Sequence, residues 1–335
     1  MRKNVLLSVC LAGLLFSFTK ISLKDNKPAE NHGVEPKKSS NLLPAYKYID
    51  TKSFVNEQQI YKEGWNLLPQ PKFWRKIIKL SPDNCLVNIA SSRHILAEIP
   101  VDYYMSKNRT ARDAYKDSVI LANQLPVNTP IYVTSGKNHY YKLDNALEAI
   151  PEAIKIFKSL DVDPFYAQSI LLIESPNKLQ KSNTGAYGPF QLMSGIARMY
   201  GLEVNRYKDD RQYLDKSATA AAKFIQAVCI PETEKILNNW NITYDQKDLW
   251  FKLLVLHVYH AGAGNVSSAV SVMKPEVGGQ EFIQTLWKTE SRGFRNASQN
   301  YSQIALAALL ELDDMLTPYK PINIEPLPPV FIGYE

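Results

Sequence analysis

Between Asp248 and His260 the chain carries Leu249, Trp250, Phe251, Leu253, Leu254, Val255 and Leu256. A helix that is apolar on nearly every side is buried, so this segment belongs at the centre of a shell of other elements. Asp248 suits its N-cap, and Gly262 suits the left-handed position past its end. The shell is expected to be helical too. Apolar residues recur with helical spacing over 146–160, 164–175, 190–200, 217–228 and 297–315. Asp163 and Pro164 read as the N-cap and first position of the second of these segments. Ahead of Asp144 the pattern is mixed. Residues 85–90 and 131–134 read as short strands, the latter turning at Ser135-Gly136-Lys137-Asn138 into 139–143. The expected fold class is therefore α+β, mainly α. A helical domain at 146–316 follows a smaller mixed region at 46–145, whose role the sequence does not assign, and an extended proline-rich tail occupies 317–335.

With 335 residues the chain has room for one large domain or two ordinary ones. A composition of 45% hydrophobic and 21% charged residues excludes a disordered protein. The net charge of +6 is unevenly placed: seven Lys or Arg against three Asp or Glu fall in residues 1–45, leaving 32 against 30 in the rest. So nearly neutral a folded part excludes a nucleic-acid binder. Arg2 and Lys3 precede an apolar run from Val5 to Phe18, the pattern of an export signal or N-terminal anchor at 1–19. That run is short for a membrane span, which needs about 20 residues. Leu7-Ser8-Val9-Cys10 is similar to a bacterial lipoprotein box, although Val9 stands where a small residue is preferred. Membrane attachment through the N-terminus stays open. A flexible linker is expected at 20–45. Cys85 and Cys229 fit either a disulfide or two buried thiols.

The chemistry concentrates in one stretch. Pro176 stops the helix that begins at Pro164, which places Glu174 in its last turn behind Leu171, Leu172 and Ile173. The negative end of the helix dipole and an apolar surround both raise a carboxyl pKa, as a general acid near neutral pH requires. An ordinary exposed glutamate at a helix end fits the same residues. Further on, Gly185 and Gly188 bracket a tight turn, and Pro189 is placed to start a helix carrying Gln191 and Met193. No Asp or Glu occurs from Ser175 to Leu202; Glu203, Asp209 and Asp210 follow in a polar segment.

Three blocks carry a resemblance: Ile173-Glu174-Ser175, then residues 185–193 (Gly-Ala-Tyr-Gly-Pro-Phe-Gln-Leu-Met), then Val258-Tyr259-His260-Ala261-Gly262. In this order they resemble the lytic transglycosylases with an SLT-type catalytic domain, relatives of goose-type lysozyme, over residues 150–312. The resemblance implies a lysozyme-like helical domain that cleaves the MurNAc-GlcNAc β-1,4 bond of peptidoglycan strands, with 1,6-anhydroMurNAc formation. Glu174 would be the single acid and base. The glycan groove would take Gly185, Tyr187, Gln191 and Met193, with the Tyr259 hydroxyl aimed at the acid. His260 departs from the family, which has asparagine there. Residues 293–301 match a variant ending of the family and would add Asn300 and Tyr301 to the groove. His257 and His260 give a His-x-x-His spacing, but a metal site needs further ligands. Neither metal nor cofactor is expected. Two other readings stay open, a non-catalytic wall-binding scaffold and a hydrolytic muramidase.

Overall fold

The computed structural model describes residues 49–174 and 181–319. The expectations for 1–19, Cys10, the linker at 20–45, Ser175 and the tail beyond Tyr319 lie outside the described residues. In chain order the main elements are α1 (Pro69–Lys79), β1 (Asn84–Ile89), β2 (Ile95–Pro100), α2 (Arg109–Ala122) and β3 (Ile131–Ser135). There follow α3 (Ala149–Ser159), α4 (Pro164–Glu174), α5 (Ser194–Met199), α6 (Leu214–Phe224), α7 (Ile230–Asn238) and α8 (Leu249–Ala261). The last are α9 (Ala263–Met273), α10 (Gln280–Leu286) and α11 (Asn296–Leu316). Short helical turns link several of them. The architecture is mainly α with one small antiparallel sheet.

α8 sits at the centre, with twelve of its 13 residues buried. Its one cation, Lys252, is neutralised by Glu57 at 2.9 Å and Asp163 at 3.0 Å. Asp248 holds the N-cap place, but its carboxylate takes the Trp250 indole N–H at 3.1 Å instead of a backbone donor. Gly262 closes the helix at φ 80° and ψ 147°, a positive-φ extended conformation in place of the expected left-handed one. The 21-residue α11 packs along α8, and α1 packs on α11, where the Trp74 indole donates to Gln303 at 3.1 Å. Phe73, Trp74 and Ile77 thus share one continuous core with Ile150, Phe165 and Leu253.

The sheet runs β2-β1-β3, antiparallel throughout, with Cys85 opposite Ile99 on one side and Ser135 on the other. Successive strand residues face opposite ways. Leu86 accordingly enters the main core, while Val87 joins Ile120 of α2 and Ile131 in a second, smaller cluster. Cys85 and Cys229 are unpaired and both buried.

Several sequence expectations are corrected. β2 is a strand that its pattern did not announce. Residues 139–143 form no strand, because Lys137 and Asn138 donate to Ile77 and Leu80 at 2.8 and 3.1 Å, tying the chain to the end of α1. The helix expected from Phe190 starts only at Ser194; Tyr187 and Leu192 instead exchange backbone hydrogen bonds of 3.2 and 3.1 Å in a tight hairpin. Pro189 therefore starts no helix, and Gln191 and Met193 precede one. The helix expected at 217–228 starts at Leu214 and passes through a π turn (Ile225–Cys229) into α7. That wider turn lies just before Pro231, which has no N–H to give. Thr317–Tyr319 form a 3-10 turn in place of extended chain.

Candidate active site

α4 carries the candidate acid. The Asp163 carboxylate accepts the Phe165 N–H at 2.9 Å, and Pro164 occupies the first helical position. Residues Phe165 to Ile173 are buried without interruption, so the last residue, Glu174, emerges from a fully packed helix. Gln168 fixes the opposite face by exchanging two hydrogen bonds with the Val55 backbone, at 2.9 and 3.0 Å.

Glu174 reaches the surface only in part. The Tyr301 hydroxyl of α11 donates to its Oε1 at 3.1 Å. Burial raises the Glu174 pKa from 4.5 to about 7, against the smaller opposing effect of the Tyr301 hydrogen bond. Among the described residues no second carboxylate contributes to this shift. The glutamate charge is felt in turn by Tyr140, Tyr141, Tyr259 and Tyr301, each raised above the ordinary tyrosine value mainly by burial. A cluster of phenols therefore surrounds one carboxyl group.

Tyr301 is held by its neighbours. His260 stacks on it with ring centroids 4.2 Å apart and planes at 18°. Burial holds His260 near 4 and His257 near 3, so both rings are neutral at physiological pH. His257 Nε2 lies 2.7 Å from the Ser302 hydroxyl, which also accepts the Trp287 indole N–H at 2.7 Å. Among the described residues no group of His, Cys, Asp and Glu is arranged to hold a metal.

The Tyr259 hydroxyl does not bond Glu174; it donates to the Phe190 carbonyl at 2.6 Å, with Tyr301 taking the position expected of it. That bond brings the glycine loop beside the acid, and Phe190 is anchored in turn by stacking on Phe157 at 5.7 Å. Gly185 and Gly188 take φ of 90° and 81°, and Gln191 φ of 44°. The Gln191 amide folds back to the Gly188 carbonyl at 3.0 Å. Met193 is half-buried at the N-cap of α5.

The loop is clamped by a residue that sequence reasoning missed. Arg211 is 2% exposed, and its Nη1 donates to the carbonyls of Gly185 and Leu192 at 2.9 and 2.7 Å. Asp209 grips the same guanidinium in bidentate fashion, at 2.8 and 2.6 Å. Both Arg211 and Lys181 lie over the Tyr187 ring, 5.4 and 5.6 Å from its centroid. The Asp210 carboxylate takes Lys216 at 2.8 Å and the Glu203 backbone N–H at 3.1 Å. Glu203 itself pairs with Lys208 at 2.5 Å. Each of the three acids after the carboxylate-free stretch is therefore engaged in the fold away from Glu174.

Asn300 also departs from expectation. It faces the mixed region, where its Oδ1 accepts Arg93 Nη2 at 2.8 Å and its amide donates to Asn296 at 2.9 Å.

The arrangement gives a direct expectation for Tyr301→Phe. Losing a hydrogen bond that favours the carboxylate moves the Glu174 pKa upward, so any limb of a pH–rate profile governed by Glu174 shifts to higher pH. Any reaction that uses the Glu174 carboxylate should slow at neutral pH by about tenfold or more, the worth of one hydrogen bond to a charged group. An unmoved limb in steady-state assays across pH 5–9 would separate Tyr301 from Glu174. No family model, curated protein or solved structure matches the chain.

Proposed function

We propose that the protein is a peptidoglycan lytic transglycosylase with a lysozyme-like catalytic domain, exported to the bacterial envelope, with Glu174 as its single acid and base. The observation that carries this reading is the state of Glu174: a carboxyl raised to about 7, in contact with Tyr301 and with no second acid among the described residues acting on it. Glycoside cleavage needs a proton for the leaving oxygen and a trap for the cationic sugar. A carboxyl titrating near 7 is protonated in a large fraction of molecules at neutral pH and donates readily. Most glycosidases use a second carboxylate as the trap or to activate water. Here Asp209, Asp210 and Glu203 are engaged elsewhere, which supports the trap that the resemblance implies, the 6-hydroxyl of the muramyl sugar.

In this mechanism Glu174 gives its proton to the oxygen linking MurNAc to GlcNAc, and that C–O bond breaks. The Glu174 carboxylate, stabilised by the Tyr301 hydrogen bond, then removes the proton from the 6-hydroxyl. The 6-oxygen closes onto the anomeric carbon, giving 1,6-anhydroMurNAc and restoring the protonated acid.

The test is the product. Muropeptides released from purified peptidoglycan should end in 1,6-anhydroMurNAc, one water lighter in mass spectrometry than hydrolytic products. Reducing-end MurNAc would make the protein a muramidase, and glycan binding with no product would make it a scaffold.

A further inference from the structure

A second cleft, of about 720 Å³, opens between the sheet region and the start of α11. Arg93, Arg112 and Lys116 line it, and no Asp or Glu does. Its volume is that of a pocket for a small ligand or a short peptide.

Arg93 is the unusual member. Among the described residues three Lys or Arg side chains are buried: Arg93 at 5% exposure, Arg211 at 2% and Lys252 at 7%. Arg211 has Asp209, and Lys252 has Glu57 and Asp163. Arg93 has no carboxylate partner among the described residues. Its guanidinium donates to Asn296 and Asn300 at 2.9 and 2.8 Å, more weakly to Asn88 at 3.4 Å, and lies over the Tyr132 ring at 5.3 Å. Burial lowers its pKa to about 10, so it stays charged at neutral pH. A buried cation without a counter-charge carries a desolvation penalty of several kcal/mol. Its backbone is strained as well, at φ 60° in the turn between β1 and β2. The three amide oxygens, with the Phe73, Trp74 and Tyr132 rings 5.6, 6.0 and 5.3 Å from the guanidinium, offset part of that penalty, but none of them carries a negative charge, and the cleft that Arg93 lines has no acid among its described residues.

Two segments of the chain connect the cleft with the surroundings of Glu174. On one, Lys137 and His139 line the cleft, and the chain continues directly into Tyr140 and Tyr141, which feel the Glu174 charge. On the other, Asn300 faces the cleft while the next residue, Tyr301, donates to Glu174.

We propose that this cleft binds a carboxylate-bearing peptide, the peptide stem that branches from the glycan bound at Glu174. The identity of the peptide rests on the reading of the protein as a peptidoglycan enzyme. The sugar backbone itself is uncharged and offers no counter-charge to the cations of this cleft, whereas the stems carry free carboxylates. Arg93 supplies the buried charge-assisted contact, and Arg112 and Lys116 of α2 line the same cleft as further cations, Arg112 being held there by the Tyr104 and Met105 carbonyls at 3.2 and 2.7 Å.

Calorimetry with the free stem L-Ala-D-Glu-diaminopimelate-D-Ala tests this on full-length Glu174→Gln protein, so that turnover plays no part. The acidic stem should bind, and its fully amidated form should bind at least about tenfold more weakly. Lys116→Glu should weaken binding by about tenfold or more. Lys158→Glu, a charge reversal on the exposed face of α3, should leave it unchanged. Arg93→Asn, which suits the left-handed backbone, should lose binding altogether. The proposal is overturned by no binding, by equal binding of the two stem forms, by equal effects of Lys116→Glu and Lys158→Glu, or by inorganic phosphate displacing the stem at equal concentration. Stem binding with no lytic product would overturn the catalytic reading alone; anhydro products without stem binding would overturn this proposal alone.

Discussion

Glu174→Gln should remove lysis of purified peptidoglycan, with a fall in rate of about a thousandfold or more, since a general acid contributes typically 10²–10⁴ and the same group serves as base. The amide keeps the shape of the protonated carboxyl and can still meet the Tyr301 hydroxyl, so the groove should stay intact. The stability of the variant carries a second expectation. A carboxyl whose folded pKa is raised from 4.5 to about 7 binds a proton more tightly in the folded state than in the unfolded one. Its protonated form costs folding nothing below pH 4.5. As pH rises from 4.5 through about 7 the unfolded chain has already lost the proton, and wild-type stability falls, by at most about 3 kcal/mol. Glutamine cannot ionise and escapes this loss. Glu174→Gln should therefore melt with wild type at pH 5 and several degrees above it at pH 8, as calorimetry at the two pH values would show. Activity near the wild-type level would remove Glu174 from the chemistry, and equal melting temperatures at pH 8 would mean that its carboxyl is not raised.

The helical part of this fold was legible because burial writes itself into sequence at helical spacing. Leu249 to Leu256 could only be central, and Asp163-Pro164 fixed the start of α4 to the residue. The position of Glu174 followed from those two facts. Its partner did not. Tyr259 is the second residue of one matched block and Tyr301 the last of another, and only packing decides that Tyr259 turns to the Phe190 carbonyl while Tyr301 meets the acid. β2 was missed because its burial is intermittent, with Glu98 exposed and Pro100 at its end, so strict alternation is lost. Tyr140 and Tyr141 were missed as neighbours of Glu174 because their placement depends on Lys137 bonding the end of α1, a contact 60 residues away in sequence. The Asp209–Arg211 clamp left one faint trace, two acids and an arginine adjacent in a segment otherwise typical of surface. Local charge pattern cannot say whether such a triplet faces water or reaches back to carbonyls at Gly185 and Leu192.

That clamp sets up the contrast between the two glycines of the loop, the second large effect expected. Both take positive φ, so alanine at either carries roughly 1–2 kcal/mol of left-handed strain. A methyl group at Gly185 would meet none of the described residues within 4 Å, and the variant should lose no more than the strain. A methyl group at Gly188 would stand 1.8 Å from the Arg211 carbonyl oxygen, a backbone atom that no side-chain rotation can move. Overpacking then adds roughly 1–3 kcal/mol, and the backbone of Arg211 has to shift, which pulls its guanidinium from Gly185 and Leu192. The damage should centre on the loop: Phe190 and Leu192 share the main core, but the long helices pack mainly on one another. Gly188→Ala should therefore retain the helical circular dichroism of wild type, lose protease resistance around residues 185–193, and lose most of its lytic activity. Gly185→Ala should keep both resistance and activity to within about tenfold, the rate equivalent of its strain. Equal behaviour of the two variants would mean that the glycines serve only their backbone angles and that the close approach of Arg211 to Gly188 does not order the loop.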